Sequence, residues 1–232
     1  MMPNNLHNGF SDSRLLLIDK PLDWTSFDVV RRVRSVFQLR KVGHAGTLDP
    51  RATGLLIVAT GAMTKSLQQY ADDEKEYEGT FQIGIRTPSF DLETPVAEQK
   101  DWTHIHAPHI SELAQKFIGT QQQLPPMFSA VKIGGRPLYR FARKGRTIER
   151  AERTIEVKTF ELTKIVLPEV HFHIVCTKGT YIRAIIDDFG QKLGCGATLI
   201  SLRRTRIGSF VVEDALSIDE LERYRQMTAD VV

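Results

Sequence analysis

Asp49 sits in Lys41-Val-Gly-His-Ala-Gly-Thr-Leu-Asp-Pro-Arg-Ala-Thr-Gly54, a segment that specifies a shaped loop around a single carboxylate. Gly43, Gly46 and Gly54 permit positive φ or close backbone approach, and Pro50 pushes Asp49 toward extended conformations. One carboxylate on a rigid mount offers nucleophilic attack or stabilisation of a developing positive charge. The mount itself is Leu55-Leu-Ile-Val-Ala59, a short apolar run that reads as a strand buried on both faces. Asp-Pro among glycines is also an ordinary turn signal, so the loop gains weight only where the rest of the chain agrees. His44 in the same loop, Tyr77 and Arg183 are the other residues whose types suit a reaction site.

The elements that must position these residues follow from apolar spacing. Leu15-Leu-Leu-Ile18 predicts a strand that delivers Lys20 to a turn at Asp19-Lys-Pro21. Thr25 or Ser26 then caps a helix in which Val29, Val30, Val33, Val36 and Phe37 share one side. A short helix is predicted over 64–71. The next strand has Tyr77, Phe81, Ile83 and Ile85 on its inner face, with Glu76, Glu78, Thr80 and Gln82 outside. Residues 108–118 predict a helix burying Ile110, Leu113, Phe117 and Ile118, with Gly119 as its C-cap. Val170, Phe172, Ile174 and Cys176 alternate as a strand. Lys178-Gly-Thr180 leads from it into a helix with Ile182, Ile185, Ile186, Phe189 and Leu193 on its apolar side, which places Arg183 in the first turn. A last strand covers 199–210, and Ser217 with Glu220 has capping-box spacing for a terminal helix. Helices and strands mix without strict alternation, which predicts the α+β class with a mostly antiparallel sheet flanked by helices.

At 232 residues, 41% hydrophobic and 25% charged, the composition is that of a globular protein, read as one domain spanning 1–232. No apolar run reaches the roughly 20 residues of a membrane span. The polar start Met1-Met-Pro-Asn-Asn5 lacks the pattern of a leader, so a soluble cytoplasmic protein is expected. Cys176 and Cys195 support neither a disulfide framework nor a thiolate zinc site.

Net charge is only +3, but residues 132–153 hold eight basic residues against Glu149 and Glu152, a net +6 that leaves −3 for the remainder. This stretch follows Pro125-Pro126 and is punctuated by Gly134-Gly135 and Gly145, which predicts a projecting basic arm over 124–153. Residues 29–48 carry Arg31, Arg32, Arg34, Arg40 and Lys41 without an acid, and Arg203-Arg-Thr-Arg206 forms a third cluster. Three separated clusters point to a polyanion such as nucleic acid. The phosphate-binding patterns Gly-x-x-x-x-Gly-Lys-Ser/Thr and Gly-x-Gly-x-x-Gly are absent from the sequence. His104, His106, His109, His171 and His173 lack the acidic or cysteine company of a metal site, so no metal is expected.

Gly43-His-Ala-Gly-Thr-Leu-Asp-Pro50 with Ala52-Thr-Gly54, Lys178-Gly-Thr-Tyr-Ile-Arg183 and Asp19-Lys-Pro21 resemble the signature segments of the TruB family of tRNA pseudouridine synthases. The resemblance runs over roughly residues 15–210. It implies a pseudouridine-synthase-like fold and an isomerase that converts uridine 55 of the tRNA T loop to pseudouridine, with neither cofactor nor metal. By motif position Asp49 resembles the catalytic aspartate, Tyr77 the active-site tyrosine, and Arg183 the arginine paired with the aspartate. His44 resembles the residue that helps displace and stack against the target region, and Tyr181 and Leu202 match pocket positions at the flipped base. The segment 124–153 matches an RNA-gripping thumb, and Lys20, Lys132 and Arg143 count among the expected RNA contacts. The implied partner is the tRNA T arm, and the chain is expected to act as a monomer.

Pseudouridine forms when the N1–C1′ glycosidic bond breaks, the uracil turns over, and C5 bonds to C1′. No atom is added and no electron is gained or lost. Whether Asp49 attacks C1′, adds to C6 or assists a glycal intermediate stays open at this level. A uridine in a folded loop must be extruded to reach such a carboxylate, and the basic clusters are suited to hold the phosphates around it. The same residues also fit a non-catalytic RNA-binding protein, or a related synthase acting on another RNA. An aspartate-nucleophile hydrolase would lack a partnered general base. Two departures from the family pattern stand out. Asp23 occupies a turn position where glycine is usual, and the stretch after Phe210 is expected to hold only a capped helix and a tail, without a further RNA-binding module.

Overall fold

The computed structural model describes residues 13–229; the N-terminal residues read for a leader lie outside them. The chain divides into two compact units, one up to Asp73 and resuming at Arg204, the other Glu74–Arg203. In chain order the elements are β1 (Leu15–Lys20), α1 (Ser26–Phe37), β2 (Val42–Ala45), β3 (Ala52–Thr60), a 3-10 turn (Gly61–Ser66), α2 (Leu67–Asp72) and β4 (Lys75–Ile83). Then come β5 (Ile85–Arg86), β6 (Glu98–Gln99), α3 (Ala107–Gln115), β7 (Gly119–Gln123), β8 (Lys132–Ile133), β9 (Arg136–Pro137) and α4 (Tyr139–Ala142). The last are β10 (Arg153–Val166), β11 (Glu169–Cys176), α5 (Ile182–Leu193), β12 (Ala197–Ile207), β13 (Phe210–Val211) and α6 (Ile218–Ala229). The named strand pairs are antiparallel and helices flank them, which is the α+β class read from the sequence.

In the first unit β3 is the structural floor. It pairs with β1 from Leu15↔Ala59 to Lys20↔Gly54 and with β2 from Val42↔Thr60 to Ala45↔Ile57. Its side chains alternate between two apolar clusters, Leu56 and Val58 with Val29, Val33, Val36 and Leu221, and Leu55 and Ile57 with Ala45, Ile207 and Val212. Burial on both faces explains the uninterrupted apolar run. β2 is a difference from the sequence reading: the first part of the glycine-rich segment is a strand, because β3 offers it an edge. α1 is capped by Thr25, whose side chain accepts from the Asp28 N–H, while Asp28 accepts from the Thr25 N–H. Ser217 and Glu220 make the expected box before α6.

In the second unit the strand order is β12-β4-β11-β10-β7. Its core is aromatic: the Phe189 ring on α5 stands 5.3 Å from Phe81, 5.4 Å from Phe117 and 5.9 Å from Phe160. Two local expectations are corrected. α3 ends at Gln115, Ile118 is exposed, and Gly119 at φ 109° opens β7 instead of capping a helix. Ile85 leaves β4 for the separate pair β5–β6. Over the predicted arm, the β8–β9 hairpin turns at Gly134–Gly135 and α4 is a single turn. Among the described residues no helix is long and apolar enough to cross a membrane.

Candidate active site

Asp49 lies half-buried in the turn between β2 and β3, where its carbonyl accepts from the Ala52 N–H at 3.0 Å. Side chains from three other elements brace this turn. Ser26 at the start of α1 accepts from the Leu48 N–H at 2.9 Å and returns its hydroxyl to the Leu48 carbonyl at 3.2 Å. Lys20 ends β1 fully buried, with Nζ donating to the carbonyls of Trp24 at 2.7 Å and Pro21 at 2.9 Å, and at 3.5 Å to Pro50. Burial pushes this ammonium down to about 8 against the opposing pull of Asp49. Arg204 on β12, 1% exposed, donates through Nε to Leu55 O at 2.8 Å and through Nη2 to Gly46 O at 3.0 Å. Gly54 packs on this residue at φ 99°. A Cβ there would stand 2.3 Å from the Arg204 carbonyl, so no larger residue fits.

Asp23 holds the left-handed turn that glycine usually supplies. Its φ is 63°, its N–H donates to Pro50 O at 2.9 Å, and its carboxylate meets Arg51 at 2.8 Å. His44 faces Val58 across β2–β3. Its Nδ1 is buried without a hydrogen-bond partner, and burial, followed by the nearby Arg204 charge, lowers its pKa. The ring is therefore neutral at neutral pH and suited to stacking.

In the second unit Arg183, 3% exposed, occupies the first turn of α5. Its Nη1 donates to Ser89 O at 3.2 Å and its Nη2 to Phe128 O at 2.5 Å, while Nε lies 3.9 Å from Asp91 Oδ2. A tight loop presents Asp91: the hydroxyls of Thr87 and Ser89 donate to its carbonyl at 2.6 and 3.0 Å, and the Glu93 N–H donates to Oδ1 at 2.9 Å. Phe90 before it holds φ 67°, a conformation that costs a side-chain-bearing residue about 1 kcal/mol or more. Tyr77 is buried on β4 opposite Ile174. The guanidiniums of Arg153 and Arg183 stand over the Tyr181 ring, 5.6 and 5.5 Å from its centroid. Leu202 is half-buried on β12. Lys132 is exposed on β8. Arg143 caps α4, stacks 5.4 Å from the Tyr139 ring and meets Glu93 at 3.0 Å. Among the described residues no cluster of three or more His, Cys, Asp or Glu side chains is placed to hold a metal.

A family model described as TruB family pseudouridylate synthase (N-terminal domain) matches residues 34–182, and one described as the tRNA pseudouridylate synthase B C-terminal domain matches 183–230. The chain belongs to the TruB family. It is 48% identical to tRNA pseudouridine synthase B of Chloroherpeton thalassium over 90% of this chain and 89% of that protein. The same-named protein of Flavobacterium johnsoniae is 44% identical over 94% and 98%. A crystal structure of a Cbf5-Nop10-Gar1 complex matches with a TM-score of 0.74 and 29% identity, covering 95% of this chain and 57% of the matched one.

Three residues of this TruB-family chain take roles that differ from what their sequence surroundings suggest. Arg204 belongs to a cluster suited to phosphates, yet it is an internal strut of the Asp49 loop. Lys20 is expected among the RNA contacts, yet its ammonium is enclosed by carbonyls, because the turn at residues 21–24 folds back over it. Asp91 carries no sequence signal of its own as a site residue. Thr87-Pro-Ser-Phe-Asp91 is a turn signal, but only the fold sets its carboxylate beside Arg183.

Proposed function

We propose that this chain isomerises uridine 55 to pseudouridine in the T loop of tRNA, with Asp49 as the reacting carboxylate on a flipped-out uridine. The observation that carries this reading is the bracing of the Asp49 loop on both sides in a TruB-family chain: Gly46 and Leu55 are held by Arg204, Pro50 by Asp23 and Lys20, and Leu48 by Ser26. A carboxylate so mounted is preorganised for attack or charge stabilisation at one point in space. In this reading the glycosidic N1–C1′ bond breaks, the uracil rotates, C5 bonds to C1′, and the C5 proton is lost as N1 regains one.

Arg183 serves the Asp49 carboxylate, Tyr77 and Tyr181 lie beside the base, and Leu202 fills the pocket behind it. His44 stacks against the displaced T-loop region. Lys132 and Arg143 on the 124–153 thumb hold T-arm phosphates. The enzyme acts as a monomer with a single catalytic domain over residues 1–232, in the cytoplasm. The basic character of residues 132–153 supports the thumb assignment, and the neutral imidazole of His44 supports stacking.

The test is single-nucleotide mapping of pseudouridine in an unmodified tRNA transcript, with wild type and Asp49→Asn. Wild type modifies position 55, and Asp49→Asn loses at least about 10³-fold in rate while still binding tRNA, as expected when a reacting group rather than a binding group is removed. Modification at another position would discard the substrate assignment and keep the chemistry. Binding without modification would discard the reaction.

A further inference from the structure

The geometry points to Gln123 as a positioning residue for the reaction, one that acts by holding Tyr181 and, through it, the first turn of α5. The inference rests on the proposed isomerisation and deepens it.

Gln123 ends β7 and is 2% exposed. Its carboxamide engages the Tyr181 main chain at both ends: the Tyr181 N–H donates to Oε1 at 2.8 Å, and Nε2 donates to Tyr181 O at 3.0 Å. A side chain thus reproduces the two-bond pairing that adjacent strands normally make through backbone. Tyr181 is the N-cap of α5, but its own side chain caps nothing. Gln123 supplies that tie from another element.

The same Tyr181 carbonyl accepts the Ala184 and Ile185 N–H groups, each at 3.1 Å. The first helical turn, with Arg183 in it, therefore hangs from the carbonyl that Gln123 holds. The strand opposite adds a second restraint. Gln123 pairs with Arg153 across β7–β10, and the Arg153 guanidinium stands 5.6 Å from the Tyr181 ring. Backbone and ring of Tyr181 are set by two residues that face each other in one strand pair.

The chemistry of this position is selective. A carboxamide at this reach presents one donor and one acceptor to the two main-chain groups of a single residue, which neither methionine nor an ionised glutamate does. Methionine fills the space but leaves the part-buried Tyr181 N–H without its acceptor. Glutamate keeps the acceptor and places an oxygen against the Tyr181 carbonyl. A small rotation of the α5 start would move both Tyr181 and Arg183, and displacements of about 1 Å cost roughly 100-fold in rate when they reach reacting groups.

The experiment measures single-turnover pseudouridine formation and tRNA binding for wild type, Gln123→Met, Gln123→Glu, Tyr181→Ala and the double variant Gln123→Met/Tyr181→Ala. Gln123→Met should slow turnover about 10- to 100-fold with tRNA affinity within about 3-fold of wild type, and Gln123→Glu should lie between. Tyr181→Ala keeps the main-chain groups that Gln123 holds, so in that background the methionine substitution should lose only the part of its effect that reaches the reaction through the ring, and the combined loss should fall clearly short of the product of the two single losses. Independent, multiplicative losses would show Gln123 to be general scaffolding and overturn the inference, as would wild-type turnover in Gln123→Met. If the methionine variant fails to fold, the glutamate variant, equal in size, runs the same cycle and is read in the same way: a combined loss clearly short of the product supports the inference, and multiplicative losses overturn it. A wild-type protein that binds tRNA without forming pseudouridine would overturn the proposed function and this inference with it, whereas normal wild-type turnover with unaltered Gln123 variants overturns the inference alone.

Discussion

The Arg204 guanidinium donates to Gly46 O at 3.0 Å while its Nε donates to Leu55 O at 2.8 Å, so one side chain ties the residues before and after Asp49 to each other. Both carbonyls lose their donor in Arg204→Met, and a buried acceptor left unpaired costs about 1–3 kcal/mol. We expect a stability loss of about 2–4 kcal/mol by urea titration and a turnover loss beyond the folded fraction. Arg204→Lys should not rescue, because a single Nζ cannot stand at both positions from which Nε and Nη2 reach their carbonyls. Full turnover in the lysine variant would show that the tie is dispensable.

Lys20 predicts a pH effect with a definite sign. Its folded pKa of about 8 lies below the ordinary 10.5. Between those values the unfolded chain carries more protons than the folded one, so this residue makes stability rise with pH from about 8 to about 10.5. Chemical denaturation across that range in wild type and Lys20→Met should show a rise in wild type that the variant lacks. Parallel pH profiles for the two proteins would contradict the burial of this ammonium.

Asp91 and Arg183 should be inseparable in their effects. Asp91→Asn keeps the side-chain acceptor for the Glu93 N–H but removes the negative charge 3.9 Å from the Arg183 Nε. We expect about 1–3 kcal/mol of destabilisation and a clear loss of turnover. Arg183→Met should destroy turnover far more than tRNA binding. The double variant should be little worse than Arg183→Met alone, and additive single-turnover losses would argue against a shared role.

Lys132 and Arg143 differ in what they can offer a phosphate. Lys132 is exposed, whereas Arg143 already meets Glu93 and stacks on Tyr139. Lys132→Ala should reduce the salt dependence of tRNA binding by about one phosphate contact. Arg143→Ala should reduce it less, because part of its charge is answered within the protein. Binding isotherms at several salt concentrations decide this, and equal slopes for Lys132→Ala and wild type would remove that lysine from the interface.

Much of the fold was legible because periodicity records which side of an element is apolar. The valines of α1, the apolar stripe of α5, the continuous run of β3 and the alternation of β11 all appear where their spacing placed them. Less legible were features that depend on a neighbour. β2 forms because β3 gives glycine-rich backbone an edge to pair with, and α3 stops at Gln115 although apolar residues continue to Ile118. Local spacing carries no information about a pairing partner distant in the chain.

The same division holds at the candidate site. The sequence alone determined that Asp49 stands on a glycine- and proline-shaped loop before a rigid strand, that Asp23 occupies a turn able to take a left-handed residue, and that Arg183 opens a helix. Glycine, proline and aspartate act on their own backbone, so their consequences can be read in place. Tertiary structure alone decided which cations are internal. Arg204 reaches carbonyls 158 and 149 positions away, and Gln123 grips Tyr181 across 58. An arginine in a basic cluster and a glutamine at a strand end look solvent-facing in sequence. They become struts and clamps only when folding surrounds them with backbone groups that would otherwise be buried without partners.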